Sequence, residues 1–192
     1  TTYDYDNRGL MTSSVEPRGN MPGANAAAFR TDYTYDPIGR PVTEIAPEAT
    51  VASDGNVTVG VRPTITHGYN TYGDPTHVRD ERSYITATAF DVMGRLTTIT
   101  HPSYTPPGGS TSTPTEAFSH DPNGNLISRT DRRGEVTTFQ FDGLNRPIRQ
   151  TDPQIGATTP GTLTAVYDDA SNLIAAVDQR GARVEHTYDD MN

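Results

Sequence analysis

The chain has 192 residues, of which only 32% are hydrophobic; it has no Trp and no Cys, and its formal net charge is −9. That apolar share is thin for a compact two-layer domain of this length, and the lack of Cys excludes disulfides and thiolate metal sites. All 15 basic residues are Arg with no basic cluster among them, which argues against a nucleic-acid partner; no apolar run approaches the ~20 residues of a membrane span, and no signal peptide is visible.

Low hydrophobicity also fits disorder, but the aromatic residues are patterned rather than scattered. In chain order, an aromatic-Asp-x-x-Gly turn recurs at Tyr5, Asp6 and Gly9, then at Tyr35, Asp36 and Gly39. Asn70 takes the Asp place between Tyr69 and Gly73. The next copies are Phe90, Asp91, Gly94 and His120, Asp121, Gly124. In Phe141, Asp142, Asn145 the Gly place is Asn, the next best residue for a left-handed turn. Tyr167 and Asp168 open a seventh copy, with Ser171 as the one poor fit, and Tyr188 and Asp189 begin an eighth. The carboxylate accepts N–H bonds from the residues that follow, and Gly takes φ > 0 at no steric cost.

Five of the turns are followed by Arg or Asn and then Leu or Pro: Arg40-Pro41, Arg95-Leu96, Asn125-Leu126, Arg146-Pro147 and Asn172-Leu173. Arg40, Arg95 and Arg146 are placed to pair with the turn carboxylates or to lie over a neighbouring Tyr. Two residues before the turn aromatic there is often another aromatic or His: Tyr3, Tyr33, His67, Phe118, Phe139, His186. Alternate residues share a strand face, so these pairs stack from hairpin to hairpin. The run Glu135 to Phe141 reads as strand because it is rich in β-branched and aromatic residues.

A second turn lies about ten residues after the first. Glu16, Asp80, Asp131 and Asp178 open short turns, whereas Pro47, Pro102 and Pro153 open Gly/Pro/Thr-rich stretches of roughly 47–63, 102–114 and 153–162. Antiparallel strands joined this tightly put the aromatic-Asp turns on one rim. The short turns and long loops share the other rim, with a long loop at every second position. No helical periodicity is visible beyond one loose turn at Asn25 to Phe29. The expectation is an all-β fold of tandem antiparallel β-hairpin repeats in a curved or spiral sheet.

With seven copies in register and 21-residue spacings from 69 to 90, 120 to 141 and 167 to 188, the chain resembles the YD-repeat, or Rhs-repeat, family. The resemblance implies hairpins wound into a hollow shell, as in bacterial polymorphic toxins, the cocoon subunits of insecticidal toxin complexes, and teneurin barrels. It also implies an enclosed C-terminal toxin or effector and a secreted or cell-surface bacterial setting. The partners so implied are neighbouring repeats and an enclosed polypeptide. Residues 1–192 are then one repeat array, a piece of a longer chain, whose open strand edges invite self-association. The family's self-cleavage region is not recognisable. A four-stranded β-propeller blade is the structural competitor, but it wants an apolar inner strand that is lacking.

No catalytic constellation stands out, and the chain is read as a non-enzyme without metal or cofactor. Asp4 to Gly9 starts like a calcium loop, but Arg8 and Val15 occupy ligand positions. The five His lack zinc spacing, and there is no Gly-x-Ser-x-Gly elbow or phosphate-binding Gly loop. Asn56-Val57-Thr58 fits a glycosylation sequon. The alternative function is recognition of a surface glycan or protein through the long loops, which offer only Tyr104 as an aromatic platform.

Overall fold

The structure is a computed structural model that describes residues 1–53, 56–154 and 159–189. The sequon and the 47–63 loop therefore fall partly, and the 153–162 loop in its middle, outside the residues or side chains described. The chain divides into two compact units, Thr1–Thr88 and Ala89–Asn192, and both are all-β.

The first unit holds β1 (Thr2–Tyr5), β2 (Met11–Val15), β3 (Arg30–Tyr35), β4 (Pro41–Ile45), β5 (Ala49–Ser53), β6 (Asn56–Val61), β7 (Thr64–Tyr69) and β8 (Pro75–Arg79); β9 (Ile85–Phe90) crosses the division. Its sheet runs β1-β2-β3-β4-β7-β8-β9, with every pair antiparallel, while β5 and β6 form a separate two-stranded hairpin. The second unit holds β10 (Leu96–Thr100), β11 (Thr115–His120), β12 (Leu126–Thr130), β13 (Val136–Phe141), β14 (Pro147–Thr151), β15 (Thr162–Tyr167), β16 (Leu173–Val177) and β17 (Arg183–Glu185). These pair antiparallel in chain order, without the grouping into four-stranded blades that a propeller needs.

Almost nothing is buried. Among the described residues only Ser13, Gly19, Glu116 and Ala175 are, and the exposed surface is 13169 Å². A compact monomer of 20.8 kDa would expose about 8,900 Å². Among the described residues no second layer covers the sheet faces of either unit, which accounts for the thin apolar content. Small hydroxyl residues replace a core: Ser119, Ser128, Thr138, Thr151 and Thr162 lie side by side across five consecutive strands. Stability in such an array comes from the hydrogen-bond ladder and from contacts between adjacent hairpins.

Three elements differ from the sequence reading. The connection expected to be a short turn at Glu16 is long, running 16–29 with 3-10 turns at Pro17–Asn20 and Ala26–Phe29. Long connections therefore occupy the first two loop-rim positions, and alternation with short turns begins only afterwards. The cause is local. In the true short turns the fourth residue is left-handed, at Ser83 (φ 67), Gly134 (φ 84) and Gly181 (φ 82). Gly19 is not left-handed and does not return the chain; it is buried against Val15 and Phe29. The second difference is that the 47–63 stretch contains the β5–β6 hairpin. The third is that the 102–114 stretch is itself strand-like, with Tyr104 bridged to Ser112.

Candidate functional site

The aromatic-Asp turns are one structure built seven times. The main-chain carbonyl of the first residue accepts from the N–H three residues on, in Gly9 to Asp6 (3.0 Å), Gly39 to Asp36 (3.0 Å) and Gly124 to Asp121 (3.1 Å). The fourth residue is left-handed even where it is not Gly: Asn145 has φ 60 and Ser171 has φ 71. The register slips by one residue at Tyr5, Tyr35, Tyr69, His120, Phe141 and Tyr167, the signature of a bulge that lets a tight turn follow the strand twist. Pro41, Pro75 and Pro147 sit at the slipped position, opposite Tyr35, Tyr69 and Phe141. There, as first residues of their strands, they cost no ladder bond.

The carboxylate does two jobs. Its Oδ1 accepts main-chain N–H bonds two and four residues on, as in Leu144 (2.9 Å) and Arg146 (3.0 Å) to Asp142. Its Oδ2 takes the side chain at the fourth position: Arg40 Nε on Asp36 (2.6 Å), Arg95 on Asp91 (2.7 Å), Arg146 on Asp142 (2.7 Å), Asn125 Nδ2 on Asp121 (2.9 Å) and Asn172 on Asp168 (3.0 Å). In the first turn Asp6 is held by Arg8 instead. The third turn swaps the roles: Asn70 Nδ2 donates to Asp74 Oδ2 at 2.9 Å.

These bonds hold the turn carboxyls below their ordinary range. For Asp6, Asp91, Asp142 and Asp168 the leading cause is the N–H four residues on; for Asp121 it is the Asn125 amide. At Asp36 partial desolvation pushes the other way and is outweighed by the main-chain and side-chain bonds from Arg40.

The same side chains tie neighbouring turns together. Arg8 Nη1 donates to the Asp36 carbonyl (3.0 Å), Arg95 Nη1 to that of Asp121 (2.6 Å) and Arg146 Nη1 to that of Asp168 (3.0 Å). Asn125 reaches Asn145 (2.8 Å). Arg40 lies over the Tyr69 ring at 4.4 Å, and Arg146 over Tyr167 at 4.8 Å. The turn tyrosines answer with their hydroxyls: Tyr35 donates to the Met11 carbonyl, Tyr69 to Pro41, Tyr167 to Pro147 and Tyr188 to Leu173. Of the remaining aromatic slots, His120 and Phe141 are half-buried on their strands, and Phe90, Gly73 and Gly94 complete their turns in place.

The opposite rim carries polar anchors that sequence reasoning missed. Arg62 pins the base of the 46–63 connection, bonding Asp32 Oδ2 (2.7 Å) and the carbonyls of Arg30 (2.7 Å) and Ala46 (3.1 Å). Asp152 does so at the next long loop but one, accepting from Gln150 (2.7 Å) and from Gln179. At the 101–114 connection the buried Glu116 gathers His101 Nε2 (2.9 Å), Arg129 Nη2 (2.9 Å) and Arg132 Nε (3.2 Å). Led by the Arg129 bond, these hold its carboxyl down to about 2. Arg129, Asp131, Arg132 and Arg133 line an open cleft of about 350 Å³ beside it. Arg129, Arg132 and Arg133 stand within five residues of one another, a local basic group that the reading of the chain as free of basic clusters passed over; Arg129 comes from β12 and the other two from the turn after it. Only strand alternation, which puts Glu116, Phe118 and Arg129 on one face, could have joined that group to Glu116.

Asp4 and Asp6, the first acids of the calcium-like stretch, are taken by Ser13 and Arg8. Among the described residues no three His, Asp or Glu side chains converge as a metal site, and no helix is long and apolar enough to cross a membrane.

The RHS Repeat family model matches residues 120–154, the span from the His120 turn through β14. The match falls on the stretch that carries the aromatic-Asp turns at His120 and Phe141. No curated protein matches the chain in sequence. Among solved structures, TcdB2-TccC3 without its hypervariable C-terminal region is 13% identical, with a TM-score of 0.56 over 92% of this chain and 9% of its own. TcdB2-TccC3-TEV is also 13% identical, with a TM-score of 0.57 over 92% and 10%; TcdB2-TccC3 itself is 15% identical, at 0.56 over 88% and 9%. The likeness is one of fold, and the chain spans about a tenth of the length of those chains.

Proposed function

We propose that this chain is a structural stretch of a repeat shell that encloses a C-terminal polypeptide, a toxin or effector, for secretion and delivery by a bacterium. The carrying observation is the pairing of a sheet with almost no buried side chains and turns locked to one another by Arg and Tyr. A sheet built this way spends its side chains on joining hairpins, leaving both faces free to bound a space. The fold likeness to TcdB2-TccC3 supports the same reading, as does the Rhs repeat at 120–154. In it, residues 1–192 are one array within a longer protein, and the turn residues are wall-building parts with no catalytic role. Limited proteolysis of the full-length protein tests this. The reading expects a segment downstream of the repeats to resist digestion until the array is unfolded. Cleavage of that segment as fast in the native protein as in urea would overturn it.

A second reading is a surface module that binds a glycan or protein through its long loops. The observation favouring it is that these loops are held in place at their bases by Arg62, by Glu116 with His101, and by Asp152. Glycan-array binding by the isolated chain, lost on shortening the 101–114 connection, is the outcome expected of that reading.

A further inference from the structure

Of the fifteen arginines, nine stand in ion pairs among the described residues: Arg8, Arg30, Arg40, Arg62, Arg95, Arg129, Arg132, Arg146 and Arg183. In a chain of net charge −9 a guanidinium without a carboxylate is the exception. Four of the six exceptions share one place, the third residue of a loop-rim turn: Arg18, Arg82, Arg133 and Arg180. The corresponding third residue of the opposite rim is mostly apolar or small: Ile38, Tyr72, Met93, Leu144, Ala170. Only at Asp131 is the second turn residue also Arg, and only there does the neighbouring strand add a third, Arg129.

We propose that the cleft formed by Arg129, Arg132 and Arg133 is a binding site for one oxyanion group, a carboxylate or a sulfate. The two carboxylates present are already committed. Glu116 accepts one N–H from each of Arg129 and Arg132 and one from His101. Asp131 Oδ1 faces the main-chain N–H groups of Arg133 (2.8 Å) and Glu135 (3.0 Å). Three guanidiniums against two carboxylates leave the cleft with one unit of positive charge. Arg132 is bound through Nε, so both of its terminal nitrogens remain available. Among the described residues the Arg133 guanidinium meets no acceptor, although its main chain is fixed. Glu116 thus acts as the anchor that pre-orients two forks beside a free third. A planar or tetrahedral oxyanion accepts such forks bidentately, in a way chloride cannot. The site does not depend on the shell reading.

The test follows the arginine Nε–Hε resonances of the chain by NMR while sodium sulfate and sodium acetate are titrated against sodium chloride at matched ionic strength. The expected result is a saturable shift of Arg132 and Arg133 with sulfate or acetate and not with chloride; the ratio of the two affinities distinguishes tetrahedral from planar preference. Arg133→Gln, at an exposed tip without partners, should weaken binding at least tenfold. Arg180→Gln, at a turn with a lone Arg, should change it less than twofold. Shifts that follow ionic strength equally in all three salts, or equal losses in the two variants, would overturn the site.

Discussion

Arg146 and Tyr167 stand 4.8 Å apart, guanidinium over ring, and belong to consecutive hairpins. The same guanidinium closes its own turn on Asp142 at 2.7 Å and donates to the Asp168 carbonyl at 3.0 Å. One side chain therefore fixes a turn and joins it to the next. Consecutive turns on one rim are two strand spacings apart, roughly 10 Å, within reach of an Arg but of few other residues.

A double-mutant cycle measures the join. Arg146→Ala and Tyr167→Leu should each lower the urea midpoint, with a coupling of about 0.5–1 kcal/mol for the cation–ring contact. Additive losses would mean that the stacked geometry contributes nothing. Tyr167→Phe isolates the hydroxyl bond to Pro147 and should cost about 1 kcal/mol.

The third turn gives a test by charge swap. Asn70 donates to Asp74 at 2.9 Å, where other turns set a carboxylate against Arg or Asn. Asn70→Asp sets two carboxylates face to face and should cost roughly 1 kcal/mol at neutral pH. Like charges raise the folded-state pKa of one of them. The penalty should therefore vanish as pH falls below that value and one carboxyl gains a proton. Asn70→Asp with Asp74→Arg rebuilds the Asp36–Arg40 arrangement, and thermal melts should return to the parent value.

The turns were legible because they depend on residue identity at fixed spacing: an Asp that accepts, a residue able to go left-handed, and Arg or Asn at the fourth place. Even Ser171, the poor fit by identity, takes φ 71 because the surrounding bonds define the turn. What was not legible is which groups meet across hairpins. Arg8 and Asp36 are 28 residues apart, whereas Arg146 and Asp168 are 22 apart; loop length changes the separation while the contact stays the same. The Glu116 cluster was hidden for that reason, and the 16–29 connection because Glu16-Pro17-Arg18-Gly19 imitates a turn whose Gly keeps an ordinary φ.

Two glycines are required for different reasons. Gly124 has φ +93 with nothing near a would-be Cβ, so Gly124→Ala pays only backbone strain, about 1–3 kcal/mol. Gly19 has an ordinary φ, but a Cβ there would lie 2.6 Å from Val15 and 2.8 Å from Phe29. Gly19→Ala should be partly rescued by Val15→Ala, whereas no neighbouring truncation should rescue Gly124→Ala. Denaturant midpoints of the four variants distinguish the two causes.

Acid should loosen the array. Arg129, His101 and Arg132 hold the folded-state carboxyl of Glu116 at about 2 instead of 4.5. A depressed folded pKa contributes stability that is present above the unfolded value and lost as pH falls toward the folded one. The turn Asp residues shift in the same direction. Melting temperature should hold steady above about pH 5 and fall steadily between roughly 4.5 and 2. Glu116→Gln should flatten that fall, and a variant with an unchanged acid slope would remove Glu116 from the account.

Strand edges set the last expectation. Among the described residues β1 pairs only with β2, and all four of its residues are exposed; β17 pairs only with β16 and is likewise exposed. An unpaired row of N–H and C=O groups is a template for another strand, and here no core competes for the same residues. The isolated chain should therefore associate end to end, its scattering mass rising with concentration. Tyr3→Lys or Val184→Lys places a charge on an edge and should lower that mass. Neither Tyr3 nor Val184 takes part in an Arg–Asp join, so neither variant should move the melting temperature of the dilute chain by more than a degree or two. A monomer at all concentrations would show that edge pairing is blocked by the exposed Tyr and Arg side chains already there.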